Sequence, residues 1–223
     1  VGADIALACV GAGISLVGVF KYFVGIVGGG TRPRLASWIA WMTANGVFTF
    51  VALMEHSYLA AGINGIAGLC NVVIIIAALA KKQGDKPQGT TDWSCLVSSL
   101  VCLLMLILFP ENKLWGAYFA MCANALATWP TVVHTWQRPR EETWQLFAGN
   151  SSANILGLVS VMLGGGFHLA TAAGPLMGTI GSTSLLVIAM GRGWLTRAEQ
   201  AVESEVQQLE ELLEEQAPLL TDK

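Results

Sequence analysis

The sequence predicts an all-α polytopic membrane protein, with seven transmembrane helices as two parallel three-helix repeats joined by a linker helix, followed by a C-terminal cytoplasmic acidic helix. Three observations carry this expectation. Of the 223 residues 54% are hydrophobic and only 12% are charged, against about 25% charged in soluble domains. The few charges cut the chain into apolar runs of about 20 residues, the length of helix that crosses a hydrocarbon core. A basic heptapeptide in the first half, at residues 32–38, recurs in the second half at 138–144.

The charged cuts are Arg32 and Arg34, then Glu55, Lys81 to Asp92, Glu111 to Lys113, and Arg138 to Glu142, with Gly164 to Gly166 as the last break. Between them lie spans near 5–27, 35–54, 58–80, 93–110, 114–136, 143–163 and 167–190. The fourth is the shortest. The first run has no basic region before it and is long enough to span, so it is expected to remain in the mature protein. The chain divides into a first repeat (1–80), a loop and linker helix (81–110), a second repeat (111–192) and a tail (193–223).

Arg32, Arg34, Lys81, Lys82, Lys86, Arg138, Arg140, Arg192 and Arg197 flank one side of these spans, and Lys113 alone flanks the other. Cytoplasmic loops retain positive charge, which places the N-terminus outside and the C-terminus in the cytoplasm. Lys21 lies about one turn from the inner end of the first span and can snorkel to the headgroups. The five cysteines, Cys9, Cys70, Cys95, Cys102 and Cys122, fall in apolar runs without zinc-ligand or CxxC spacing and read as small buried hydrophobes.

The recurring segments read RPRLASW and RPREETW. Arg32, Pro33, Arg34 and Trp38 reappear as Arg138, Pro139, Arg140 and Trp144, and the same offset superposes spans 1 on 5, 2 on 6 and 3 on 7. Each proline breaks the preceding helix, Ser37 and Thr143 are placed to cap the next one, and Trp38 and Trp144 are expected at headgroup depth. Three helices per unit would invert the second unit. A single crossing linker restores its direction and makes the repeats parallel.

The second unit also carries Trp129-Pro130-Thr131-Val132-Val133, which resembles the Pro-Gln motif of the PQ-loop and SWEET superfamily with Thr131 in place of Gln. The two basic heptapeptides resemble the loop and helix start of its bacterial members. The resemblance covers residues 5–190. It implies a bacterial inner-membrane transporter that moves a small neutral, sugar-like solute by alternating access between its repeats, with Pro130 as a rocking hinge. It also implies solute-binding asparagines on the third helix of each unit, of which Asn64 matches the first. The first unit has Phe23-Val24-Gly25 where the proline pair would fall, and residues 170–175 of the seventh span hold no asparagine.

Polar side chains at membrane depth face the bundle interior, because lipid offers no hydrogen bonds. Asn45, Asn64, Asn71, Asn124, Asn150 and Asn154 are of this kind. Asn45, Asn64, Asn71 and Asn150, with Trp41 as a stacking surface, are the expected solute-binding set. The alternative is that each amide joins neighbouring helices for about 1 kcal/mol and Trp41 lies on a core or lipid face. Gly11, Gly13, Gly18, Gly62, Gly65 and Gly68 suit close helix packing. Glu55, His56 and His168 could form a proton or metal site at the outer face or be exposed loop residues, and His134 reads as interfacial. No nucleophile-base spacing, phosphate loop or paired carboxylates appear within the spans, so no enzymatic chemistry, cofactor or resident metal is expected, and the lack of a basic stripe argues against nucleic acid.

Residues 1–197 hold 11 bases and 7 acids, whereas 198–223 hold 1 base and 8 acids. In residues 198–216, Val202, Val206, Leu209 and Leu213 follow a coiled-coil seam over about two heptads. This segment reads as a docking or homo-oligomerisation helix, or as a solvated amphipathic end. Glu215 to Leu220 also fits an acidic dileucine pattern, which arises easily in such a composition. A second functional expectation follows, a membrane scaffold or accessory subunit whose tail binds a partner.

Overall fold

An apolar chain with few charges has little water-exposed polar surface to pair its backbone, so its amides and carbonyls are best satisfied within helices. The computed structural model describes residues 2–87, 89–109, 113–139, 141–165 and 168–221, with the side chains at 103, 106, 107, 113, 165 and 209–221 excepted. Arg140, Leu209, Leu213 and the dileucine side chains therefore lie outside the described residues. Seven α-helices form among those described: α1 (Ala3–Val27), α2 (Leu35–Met54), α3 (Tyr58–Lys81), α4 (Gly89–Leu108), α5 (Lys113–Gln137), α6 (Trp144–Gly165) and α7 (Leu169–Thr221). Five of them, α1, α2, α3, α6 and α7, are long and apolar enough to cross a membrane.

The helix limits follow the charged cuts closely, with two differences. Helix α4 begins at Gly89, ahead of Trp93, and α7 continues through the acidic tail without a break. No proline stands between Pro175 and Pro218, and residues 198–216 are rich in Glu, Gln, Leu and Ala, all good helix formers.

The expected Ser37 cap does not form. Helix α2 starts at Leu35, so Ser37 sits inside its first turn, and no side-chain hydrogen bond caps the helix from Arg34. Instead the Leu35 amide donates to the Asp85 carbonyl, while the Asp85 amide donates to Pro33, so the α3–α4 loop caps α2. The Thr143 hydroxyl is engaged with that of Thr31 at 3.0 Å. Trp38 is also not at an interface: it is 3% exposed, its ring between Tyr22 at 5.1 Å and Trp41 at 5.4 Å. Its counterpart Trp144 is exposed, as are Cys9 and Cys122, while Cys95 and Cys102 are buried.

Helix α1 packs along α6, α2 along α5, α3 against α1 and α2, and α7 against α5 and α6, whereas α4 rests only on α2 and α5. The α1–α6 crossing brings backbones together. A Cβ at Gly18 would lie 3.0 Å from the Gln145 carbonyl oxygen, one at Gly11 3.1 Å from that of Ala153, and one at Gly149 3.1 Å from that of Ile14. The α2–α5 crossing uses Ala44, Val47, Phe48 and Val51 against Ala117 and Ala120.

Pro130 stands inside α5. Proline has no N–H, so the carbonyl four residues earlier, on Leu126, loses its helical donor. The Cys95 thiol of α4 donates to that carbonyl, and one helical face further along the Cys102 thiol donates to Phe119. The cysteines thus fasten α4 to the proline-bearing helix.

Two outcomes are expected from thermal unfolding of the detergent-solubilised protein. Gly18→Val should cost about 1–3 kcal/mol through overpacking, whereas Gly13→Val, which meets nothing within 4 Å, should stay within about 0.5 kcal/mol of wild type. Cys95→Ala should lower stability by about 1–3 kcal/mol because the Leu126 carbonyl is orphaned, and Cys95→Ser, which keeps a donor, should restore most of the loss.

Candidate functional site: a cavity ringed by asparagines

A cavity of roughly 110 Å³ lies among α1, α2, α3, α5, α6 and α7, and among the described residues none from α4 lines it. All five residues expected to bind a solute, Trp41, Asn45, Asn64, Asn71 and Asn150, line it. So do Asn124 and Asn154. Six asparagines from four helices therefore converge on one space, Asn45, Asn64 and Asn71 from α2 and α3, the others from α5 and α6.

The amides are held in different ways. Ser15 Oγ donates to Asn150 Oδ1 at 2.7 Å, Asn154 Nδ2 to the Asn150 carbonyl at 2.7 Å, and Asn64 Nδ2 to the Ala60 carbonyl at 2.9 Å. Trp41 Nε1 donates to Thr128 Oγ1 at 3.4 Å, and Thr128 in turn donates to the Asn124 carbonyl. Asn71 is different. Its Nδ2 is buried and finds no acceptor among the described residues, which leaves a donor whose desolvation costs about 1–3 kcal/mol unless something in the cavity accepts from it.

Helix α7 brings glycines rather than an asparagine. Gly174, Gly178 and Gly181 share one face at helical spacing, and the space a Cβ would need is taken by Asn64 at Gly174, Asn154 at Gly178 and Thr128 at Gly181. Bare backbone on α7 lets polar side chains of three other helices reach the same place. The sequence signal was available in the spacing of these glycines, but only the packing shows that they face asparagines.

Toward the end where the loops 28–34, 82–88 and 138–143 meet, an apolar layer closes the cavity. Val19, Tyr22, Trp38, Ile74, Leu146, Phe147 and Leu185 pack there. Beyond it is a charged network. Arg34 pairs with Asp85 at 3.5 Å and with Asp92 at 3.3 Å, and Arg138 with Glu141 at 3.6 Å. The Arg32 amide donates to the Glu141 carbonyl, joining the two recurring heptapeptides directly. The buried Tyr22 hydroxyl donates to Glu142 Oε2 at 3.2 Å. Burial pushes the Glu142 carboxyl up to about 8, and the charges of Glu141 and Asp85 push the same way against the Tyr22 hydrogen bond.

At the other end a wider pocket of roughly 480 Å³ is lined by Asp4, Glu55, His56, His168 and Thr171 among others. The residues considered for an outer proton or metal site thus share a pocket, but among the described residues they form no metal-competent cluster; the group that does is Asp85, His134 and Glu141 at the opposite end. The reading of His134 as a merely interfacial residue is corrected here: it is 4% exposed. Nothing in the sequence ties Asp85 to the other two except the loops that bring it there.

Comparison with family models, with curated proteins and with solved structures returns no match.

Removing the Tyr22 hydroxyl leaves buried Glu142 Oε2 without its donor. Tyr22→Phe is therefore expected to lower unfolding stability by about 1–3 kcal/mol, and Tyr118→Phe, on an exposed face, by less than about 0.5 kcal/mol. Thermal melts of both variants check this.

Proposed function

We propose that the protein is a seven-span membrane transporter for a small neutral, hydroxyl-bearing solute, and that it works by alternating access between two parallel three-helix units, α1–α3 and α5–α7. The observation that carries this reading is the convergence of six asparagines and Trp41 on one cavity, with the Asn71 amide lacking an acceptor among the described residues. Amides both donate and accept, so a ring of them suits hydroxyl groups. A scaffold bundle has no need to gather them around a void.

Support for the repeat comes from the packing. Exchanging 1 with 5, 2 with 6 and 3 with 7 turns the α1–α6 contact into α5–α2, α2–α3 into α6–α7, and α1–α3 into α5–α7, all of which occur, while α4 stands apart. Trp41 of α2 and Phe147 of α6, at the same repeat offset, both line the cavity. The resemblance to the PQ-loop and SWEET superfamily supplies Pro130 as the hinge. The cysteine-held Leu126 carbonyl suits that role, because a thiol hydrogen bond is weak enough to break when α5 bends. By the excess of Lys and Arg, the end with the charged network is the cytoplasmic one, so this conformation is closed toward the cytoplasm by an apolar layer backed by ion pairs. In a bacterial cell the membrane would be the inner one.

Val202 and Val206, exposed on the extension of α7 beyond the bundle, favour an additional role for the tail in docking a partner or a second copy. Transport does not depend on it.

Reconstituted in liposomes, the protein should equilibrate at least one member of a panel of sugars, polyols and other small neutral solutes, measured by isotope or light-scattering flux. Asn64→Ala and Asn71→Ala should each slow that flux about tenfold, as expected for losing one hydrogen bond of about 1.4 kcal/mol. No flux across the panel by protein with a wild-type melting curve would refute the reading.

A further inference from the structure

We propose that His134, Glu141 and Glu142 form a binding site for a single divalent transition-metal ion, of which Zn²⁺ is the best match. The site lies at the basic end of the bundle, outside the asparagine cavity, and does not depend on whether the bundle carries a solute.

Two carboxylate oxygens approach one imidazole nitrogen there. Glu141 Oε2 lies 3.5 Å and Glu142 Oε1 4.0 Å from His134 Nε2. All three atoms are buried and none has a hydrogen-bond partner among the described residues. The His134 side chain is 4% exposed and that of Glu142 1%. Bare nitrogen and oxygen acceptors facing one another at this depth are costly, and a cation between them removes the cost. A tetrahedral ion with bonds of about 2.0–2.1 Å spaces its ligand atoms at about 3.3–3.4 Å, so the Glu141 oxygen is almost at that spacing and the Glu142 oxygen a short side-chain adjustment from it.

The surroundings fit a metal in two further ways. Asp85 Oδ2 lies 4.0 Å from the other imidazole nitrogen, Nδ1, on the side where an outer carboxylate commonly orients a metal-bound histidine. The charges also leave room. Among the described residues the network joins four carboxylates, Asp85, Asp92, Glu141 and Glu142, to two guanidinium groups, Arg34 and Arg138. With a neutral imidazole and all four carboxylates ionised, as metal ligation requires of its ligands, this leaves an excess of two negative charges. Arg138, which touches Glu141 at 3.6 Å, is 56% exposed and can turn out to solvent as the ion enters. The donor set, one imidazole and carboxylates with no thiolate, suits zinc and disfavours the soft-metal sites that cysteines make. The ion would tie α5 to the loop that enters α6, and through the Tyr22 bond to Glu142 it would also hold α1.

The test uses the full chain in detergent, stripped with a chelator and dialysed, then titrated with Zn²⁺, with Mg²⁺ as the comparison. Calorimetry should give one Zn²⁺ per chain and a rise in melting temperature that Mg²⁺ does not reproduce. His134→Gln and Glu142→Gln should each weaken Zn²⁺ at least tenfold, while His56→Ala with His168→Ala, which alters the pocket at the other end, should leave it unchanged. Should the His134 or Glu142 variants fail to fold, zinc-edge X-ray absorption of the wild-type protein decides: nitrogen and oxygen donors at 2.0–2.2 Å and no sulfur are expected. Absence of saturable Zn²⁺ binding, sulfur in the coordination shell, or binding lost only with His56 and His168 would each overturn the site. So would a Glu142→Gln protein that melts higher than wild type and binds Zn²⁺ as tightly, since protons would then be the charge that the cluster holds.

Discussion

Helices in this bundle approach until side chain meets backbone, and that closeness exists only where a glycine leaves the room. At the α1–α6 crossing Gly11, Gly18 and Gly149 put backbone against backbone. On α7 the same device works differently, because Gly174, Gly178 and Gly181 admit polar side chains rather than a neighbouring helix. Dispersion at short range holds the bundle, and the asparagines are carried into the middle by it. A bulkier residue on either stripe would separate the helices and dissolve the ring that defines the cavity.

The polar interior is divided into layers by the same packing. Asparagines surround the cavity, an aromatic and aliphatic layer built on Tyr22, Trp38 and Phe147 lies below it, and ion pairs close the end. Tyr22 belongs to two of these layers, its ring in the apolar one and its hydroxyl on Glu142. Any motion that opens the basic end must therefore break an ion-pair network and part an aromatic stack together.

Much of the helix layout was legible in the residues. Helix α2 spans 35–54 in both the sequence expectation and the structure, and α3 differs by its last residue, because charges that bound an apolar run mark its ends. Depth was legible as well: the six asparagines were expected inside, since an amide in an apolar surrounding seeks a partner, and all six line the cavity. What failed was orientation about the helix axis. Trp38 lies near the start of a helix, as an interfacial tryptophan would, but it sits on the face that α1 covers. Ser37 was taken for a cap and lies one turn too deep. The second side of the cavity was sought on α7, where the repeat would place it, and is supplied by α5 and α6.

Composition and charge spacing by themselves determined that this chain is a set of apolar helices, where most of them begin and end, and that six asparagines lie inside. These are local properties, governed by hydrogen bonding along one helix and by the cost of burying charge. Which residues meet was decided only by tertiary structure. Asn64 finds Gly174, Cys95 finds the carbonyl freed by Pro130, and His134 finds Glu142, because helix rotation and loop closure bring distant segments to the same depth. That is set by the packing of whole helix faces, and no spacing along the chain records it.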